Sequence, residues 1–136
     1  MSDVDAIALG LQERMNTIPS ITAWDVWPDQ VSPPAILVMG PTDIEELSLG
    51  CNTAIYTFDL VLVVPMNAGL AEGQRRVRPF LGRTGDQSMF LALEGDKTLG
   101  GACQTLIVRE GVQLLGEFVV NDVSLFGAIL NVAVYS

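Results

Sequence analysis

DQSMFLALEGDKTLGGACQTL, residues 86–106, changes its structural period part-way along. As far as Leu93 the apolar residues recur at helical spacing, which predicts a short helix with Asp86 as its cap. The run from Glu94 to Gly101 then breaks that period. Leu99, Gly100 and Gly101 predict a tight turn in which glycine supplies positive φ. From Ala102 to about residue 111 the pattern is that of a strand. A phosphate-cradling loop would place its glycines after a strand and before a helix, where the helix N-terminus faces the phosphate. Here the order is reversed, so the turn reading is favoured.

Working outward, Val4, Ile7, Ala8, Leu11 and Met15 fall on one helical face and predict an amphipathic helix over about 3–16. Ser2 and Asp5 resemble a capping box at its start, and Pro19 ends it. Residues 21–27 read as a short extended piece. The prolines of 28–34 predict a turn leading into an apolar strand over 35–39, because each fixes φ and biases its predecessor away from helix. Residues 42–50, with Asp43, Glu45 and Glu46, read as an acidic loop. Over 52–64 the even positions Tyr56, Phe58, Leu60, Leu62 and Val64 are all apolar. The odd positions run from Thr57 and Asp59 to Val61 and Val63, so this strand is half-exposed at one end and buried on both faces at the other. A helix from Asn67 to Leu81 carries Leu70, Val77, Phe80 and Leu81 inward, and residues 118–135 end the chain as a hairpin arm or one long strand. The order predicts a single α+β domain over 1–136, a mostly antiparallel sheet with helices packed on one face as a sandwich.

The chain has 136 residues, of which 49% are hydrophobic and 17% charged, the reverse of a disordered composition. A chain of this length buries roughly 65–70% of its unfolded surface. No apolar stretch reads as a membrane helix. The N-terminus lacks the basic and apolar regions of a signal peptide, so a soluble, non-secreted chain is expected. The net charge of −9 disfavours wrapping a polyanion, since phosphate binding relies on Lys and Arg. Solubility alone is an equal explanation of that acidity.

With no histidine in the chain, a Ser-His-Asp or Cys-His arrangement cannot be assembled, and no enzyme activity is expected. Cys51 and Cys103 stand far apart and cannot supply a zinc site, so both are expected as reduced thiols, with Cys103 buried. Asp43, Glu45 and Glu46 lack the spacing of a calcium loop, and a solvated acidic loop is favoured over a metal site. No cofactor is expected.

The chemical concentration lies elsewhere. Arg75, Arg76, Arg78 and Arg83 supply four of the seven basic residues. On a helix Arg75 and Arg78 share a face, and Arg76 and Arg83 lie one heptad apart, so two basic edges flank the stripe of Val77 and Phe80. Three readings stay open: a solvated helix face, direct contact with DNA, and subunit recognition through carboxylates such as Asp43, Glu45 and Glu46 of a neighbouring copy. Guanidinium forks suit carboxylate pairing, and opposite patches on one monomer favour head-to-tail rings.

Several stretches together resemble the tail terminator (tail completion) proteins of long-tailed bacteriophages. The opening helix followed by Thr17-Ile-Pro-Ser-Ile-Thr is similar to the short N-terminal helix and "IPG" turn of that family, with Ser20 in place of the usual glycine. Pro28-Asp-Gln-Val-Ser-Pro-Pro-Ala-Ile-Leu-Val resembles its proline pair leading into a strand. The stretch 56–64 is similar to its central strand, and 68–78 to the small-residue and arginine stretch after it. Residues 86–106 carry the most specific likeness, and Phe126-Gly-Ala-Ile-Leu-Asn-Val-Ala-Val resembles the closing strand. The resemblance implies a virion protein of the tail and neck, assembled in the host cytoplasm. As a homo-hexameric ring it would cap the tail tube protein, end tube polymerisation and join head-completion or stopper proteins. Double-stranded DNA would pass through the lumen without specific binding, and no membrane would take part. Another neck or tail component (a head-tail stopper, connector or tube protein) is the alternative, and a small-ligand-binding α+β domain is the rival from a different class.

Overall fold

The computed structural model describes residues 4–19, 21–26, 34–46, 54–66, 69–120 and 123–136. Its elements in chain order are α1 (Val4–Met15), β1 (Thr22–Trp24), β2 (Ala35–Glu46), β3 (Ala54–Pro65), α2 (Leu70–Leu81), α3 (Met89–Glu94), a 3-10 turn (Leu99–Gly101), β4 (Thr105–Val120) and β5 (Val123–Tyr135). The strands form one five-stranded sheet in the order β1-β2-β3-β5-β4. Only β1 and β2 run parallel; the other three pairs are antiparallel. This is an α+β fold with a mostly antiparallel sheet.

Alternation along β3 sets the two faces. Phe58, Leu60, Leu62 and Val64 point into the main core, where they meet Ile7, Leu11 and Met15 of α1, Val77 and Phe80 of α2, and Met89 and Leu93 of α3. All three helices thus cover one face of the sheet. The odd positions Val61 and Val63 join Ala35, Leu37 and Leu125 in a second cluster on the opposite face, bordered by Trp24, Met39 and Ile129. Asp59 escapes that apolar surface by accepting a 2.8 Å hydrogen bond from Asn131 Nδ2, its register partner on β5. Full burial of one large apolar side chain contributes about 1.5–3 kcal/mol, so the dozen largest here outweigh any single polar contact.

Close approaches tie the helices down. A Cβ at Gly73 would lie 2.6 Å from Phe126 Cβ, so only glycine lets α2 sit this near β5. Arg14 Nε donates to the Ala92 carbonyl at 2.8 Å, fastening the end of α1 to the C-terminal part of α3. Gln12 of the same helix and Asn16 just past its end hold β1, through the carbonyl and amide of Ala23 respectively.

Several expectations change. The acidic stretch expected as a loop continues β2: Asp43, Ile44, Glu45 and Glu46 pair in register with Thr57, Tyr56, Ile55 and Ala54. The strand passes an irregularity between Met39 and Asp43 containing Gly40 and Pro41, which explains why the sequence pattern stops there. Helix α2 starts at Leu70 with Gly69 as its cap, so Leu70 is exposed rather than inward; Asn67 lies outside the described residues. Ser88, and not Asp86, caps α3: its Oγ accepts from Leu91 N and donates to the Gly82 carbonyl. The strand expected from Ala102 begins at Thr105 and runs on to Val120, pairing with β5 as a hairpin. Ser2, Ser20, residues 28–33 and Cys51 lie outside the described residues. Residues 99–101 have φ of 52, 70 and 96, the positive-φ turn that the glycines predicted.

Candidate functional site

The seven residues singled out for charge lie in three places: the outer half of β2, helix α2, and the segment that follows α2. Asp43, Glu45 and Glu46 occupy the outer half of β2. There β1 no longer runs alongside, because among the described residues it pairs with Ala35, Ile36 and Leu37 alone. Every residue from Thr42 to Glu46 is exposed, and one side of this segment hydrogen-bonds to β3 while the other has no strand partner among the described residues. Strand alternation separates the acids. Ile44, opposite Tyr56, and Glu46, opposite Ala54, share the helix-bearing face; Asp43 and Glu45 point to the other. Among the described residues no group of three or more Cys, Asp or Glu side chains converges on a point that would hold a metal ion.

The arginines divide as well. Arg75, Arg76 and Arg78 are exposed on α2, which packs over β3 and β5. Arg76 is already engaged: its guanidinium bonds Glu72 Oε1 at 2.6 Å and 2.7 Å, one helical turn back. Arg83 lies beyond the helix, since Gly82 turns the chain to an extended conformation with φ −71 and ψ 162. The expected heptad alignment of Arg76 with Arg83 is therefore absent. Arg83 instead places its guanidinium carbon 5.1 Å from the centre of the Phe90 ring, a cation–π distance.

That contact forms one wall of a groove of about 210 Å³ between α3 and the start of β4. Phe90, Leu93, Leu106 and Val108 give it an apolar lining, and Arg83, Lys97 and Glu94 supply its charged lining. Neither Arg83 nor Lys97 has a carboxylate partner among the described residues. The groove lies against the outermost strand, because β4 pairs only with β5 among the described residues. Ile107, on the opposite face of that strand from Leu106, is 45% exposed.

The turn that carries Lys97 is organised by Asp96, which lies in the run 94–101 where the helical period breaks. Its carboxylate accepts from Thr98 Oγ1 at 2.7 Å, Thr98 N at 3.1 Å and Gly100 N at 2.8 Å. These bonds, led by that from the Thr98 hydroxyl, hold its pKa below the ordinary value. The signal was readable as Asp-x-Thr-x-Gly, a side chain closing on the backbone just after it. Cys103 follows the turn. It is buried, donates its thiol to the Lys97 carbonyl at 3.4 Å, and has its pKa pushed up to about 11, first by desolvation and then by Asp96.

The chain matches no protein-family model and no curated protein. Among the described residues no helix is long and apolar enough to cross a membrane.

Proposed function

We propose that this chain is a non-enzymatic virion protein of the tail-terminator type. Copies join head-to-tail into a ring, six by the resemblance, at the head-proximal end of a tail tube. The ring ends tube polymerisation and presents the joint to head-completion proteins, while double-stranded DNA passes through its lumen. The observation that carries this reading is the separation of charge across one sheet. The carboxylates of Asp43, Glu45 and Glu46 line one open edge, and Arg83 lies beside the other. Between β2 and β4 stand β3 and β5, a span of roughly 14–15 Å at ordinary strand spacing. Such patches cannot meet within one copy at salt-bridge distance, and they meet readily between copies arranged head-to-tail. The excess of acid over base suits a channel that does not retain DNA.

Light scattering on a sizing column, with and without purified tail tubes, tests the reading. A ring, or a monomer that becomes a ring on tubes, supports it; a chain that stays monomeric and ignores tubes overturns it. The same assay decides the role of Arg75 and Arg78. Reversing both to Glu abolishes the ring with the fold intact if they make contacts between copies, and leaves it unchanged if they form a solvated helix face. High salt weakens a ring that depends on exposed pairs, because such pairs are screened.

A further inference from the structure

The groove beside β4 and the open segment of β2 are complementary in polarity and charge, and they lie at opposite edges of one sheet. We infer that residues 43–46 of one copy add as an extra strand to β4 of the next at residues 105–108, with Ile44 entering the groove between α3 and β4. This rests on the head-to-tail reading above and assigns the surface that makes the junction.

Four observations converge. Both segments are strand in conformation before any partner arrives, and each keeps one row of backbone groups without a strand partner among the described residues. Unpaired strand edges are templates for pairing with another chain. Second, each segment runs without a register shift: the irregularity in β2 ends at Asp43, and that in β4 begins after Arg109. Third, Ile44 is an isoleucine left 55% exposed between acids, and it points to the helix-bearing face. The groove is on that same face, since Leu106 and Val108 face the main core region opposite Val134 and Val132. An added strand that continues the sheet therefore brings Ile44 to Phe90, Leu93, Leu106 and Val108 without flipping either copy. Fourth, Glu46 shares the face of Ile44 about 7 Å further along the strand. That offset reaches the groove's charged lining, where Arg83 and Lys97 outnumber Glu94.

The pairing is heterologous, using one patch from each edge, so it propagates around a ring rather than closing a two-fold dimer. It also gives the exposed acids of β2 a second role. Away from a partner, charge on an open edge discourages indiscriminate strand addition; beside Arg83 and Lys97 the same charge selects the right one.

Two surface variants test the junction. Ile44→Asp spoils the edge and leaves the groove intact; Arg83→Glu with Lys97→Glu spoils the groove and leaves the edge intact. Each alone raises the concentration needed for assembly by about tenfold or more, with an unchanged circular dichroism spectrum. Mixed in equal amounts they form a one-to-one dimer that grows no further, because only one sound junction is available. Glu46→Lys, a second edge variant, weakens the native ring and regains assembly when placed in the chain that carries both groove reversals. Rings that persist in either first variant, or a mixture that stays monomeric, overturn the strand pairing while the ring reading stands on the native chain. A native chain that never assembles, even on tubes, overturns both.

Discussion

In β3 residues 60–64 are buried on both faces, whereas residues 42–46 of β2, bonded to the same strand, are exposed at every position. Both segments are extended, and both take part in one ladder. What differs is cover. The first lies under three helices on one side and over the Ala35, Leu37 and Leu125 cluster on the other. The second extends past the end of β1 into solvent. Strand formation in this fold is therefore not a proxy for burial: the centre of the sheet supplies stability, and its rim leaves backbone edges and charge exposed.

Truncation at the two places separates these roles most sharply. Phe58→Ala, at a fully buried position in the main core, costs about 3–5 kcal/mol and lowers the denaturant midpoint accordingly. Ile44→Ala, on the same helix-bearing face but exposed, stays within about 0.5 kcal/mol of the native chain in the monomer. Equal losses in urea titrations of the two variants would erase the distinction between centre and rim.

A smaller loss is expected where a helix meets the sheet. Gly73→Val introduces a Cβ where Phe126 already stands, and neither α2 nor β5 can withdraw without opening the core. The cost is about 1–3 kcal/mol, typical of an overpacked interior. Thermal unfolding measures it. A variant as stable as the native chain would mean that α2 rides loosely over the sheet.

The sequence displays the centre much better than the rim, and the reason is physical. Phe58, Leu60, Leu62 and Val64 repeat at period two, and Ile7, Leu11 and Met15 at helical period, because each set buries one face; burial imposes the pattern that makes the element readable. At residues 42–46 no face is buried, so Asp43, Glu45 and Glu46 look like a loop although β3 holds them in register. The sequence leaves the cap of α3 ambiguous by two residues because Asp86 and Ser88 are both good caps, and only the path of the chain after Gly82 decides between them. The arginines were visible as a cluster, but not that Arg76 is occupied by Glu72 or that Arg83 leaves the helix. The groove was not legible at all: Phe90, Lys97 and Leu106 are brought together by the turn that Asp96 closes, and no periodicity records that meeting.

That turn offers a test at the rim itself. The depressed pKa of Asp96 means the folded chain binds its proton less tightly than the unfolded one. Its contribution is present above the ordinary carboxylate value of 3.8 and is lost as the pH falls through the lower folded value. In Asp96→Asn this part of the acid dependence disappears, so melting temperatures of the two proteins converge on acidification. Identical acid profiles would show that the carboxylate does not close the turn in solution. Loosening the turn also exposes Cys103, whose thiol pKa burial pushes up to about 11 in the native fold. Alkylation at neutral pH is accordingly slow in the native chain and faster in the variant.

The smallest expected effect concerns Arg76. Its bond to Glu72 is a one-turn helical ion pair with the guanidinium side chain about half exposed, and such pairs are worth about 0.3–0.5 kcal/mol. Arg76→Ala therefore shifts the unfolding midpoint barely beyond error, and the shift shrinks further in high salt. Its value lies in the comparison with Arg75 and Arg78, which have no carboxylate partner among the described residues. If Arg76→Ala leaves assembly untouched while reversal of Arg75 and Arg78 abolishes it, the helix face recognises a neighbour through its unpaired cations. If all three are silent and the reversals at Arg83 and Lys97 are not, recognition is confined to the sheet edge and its groove. An assembly defect from Arg76→Ala alone would mean that Glu72 releases the guanidinium to a neighbouring copy, and the pair seen here would be a resting state of the free subunit.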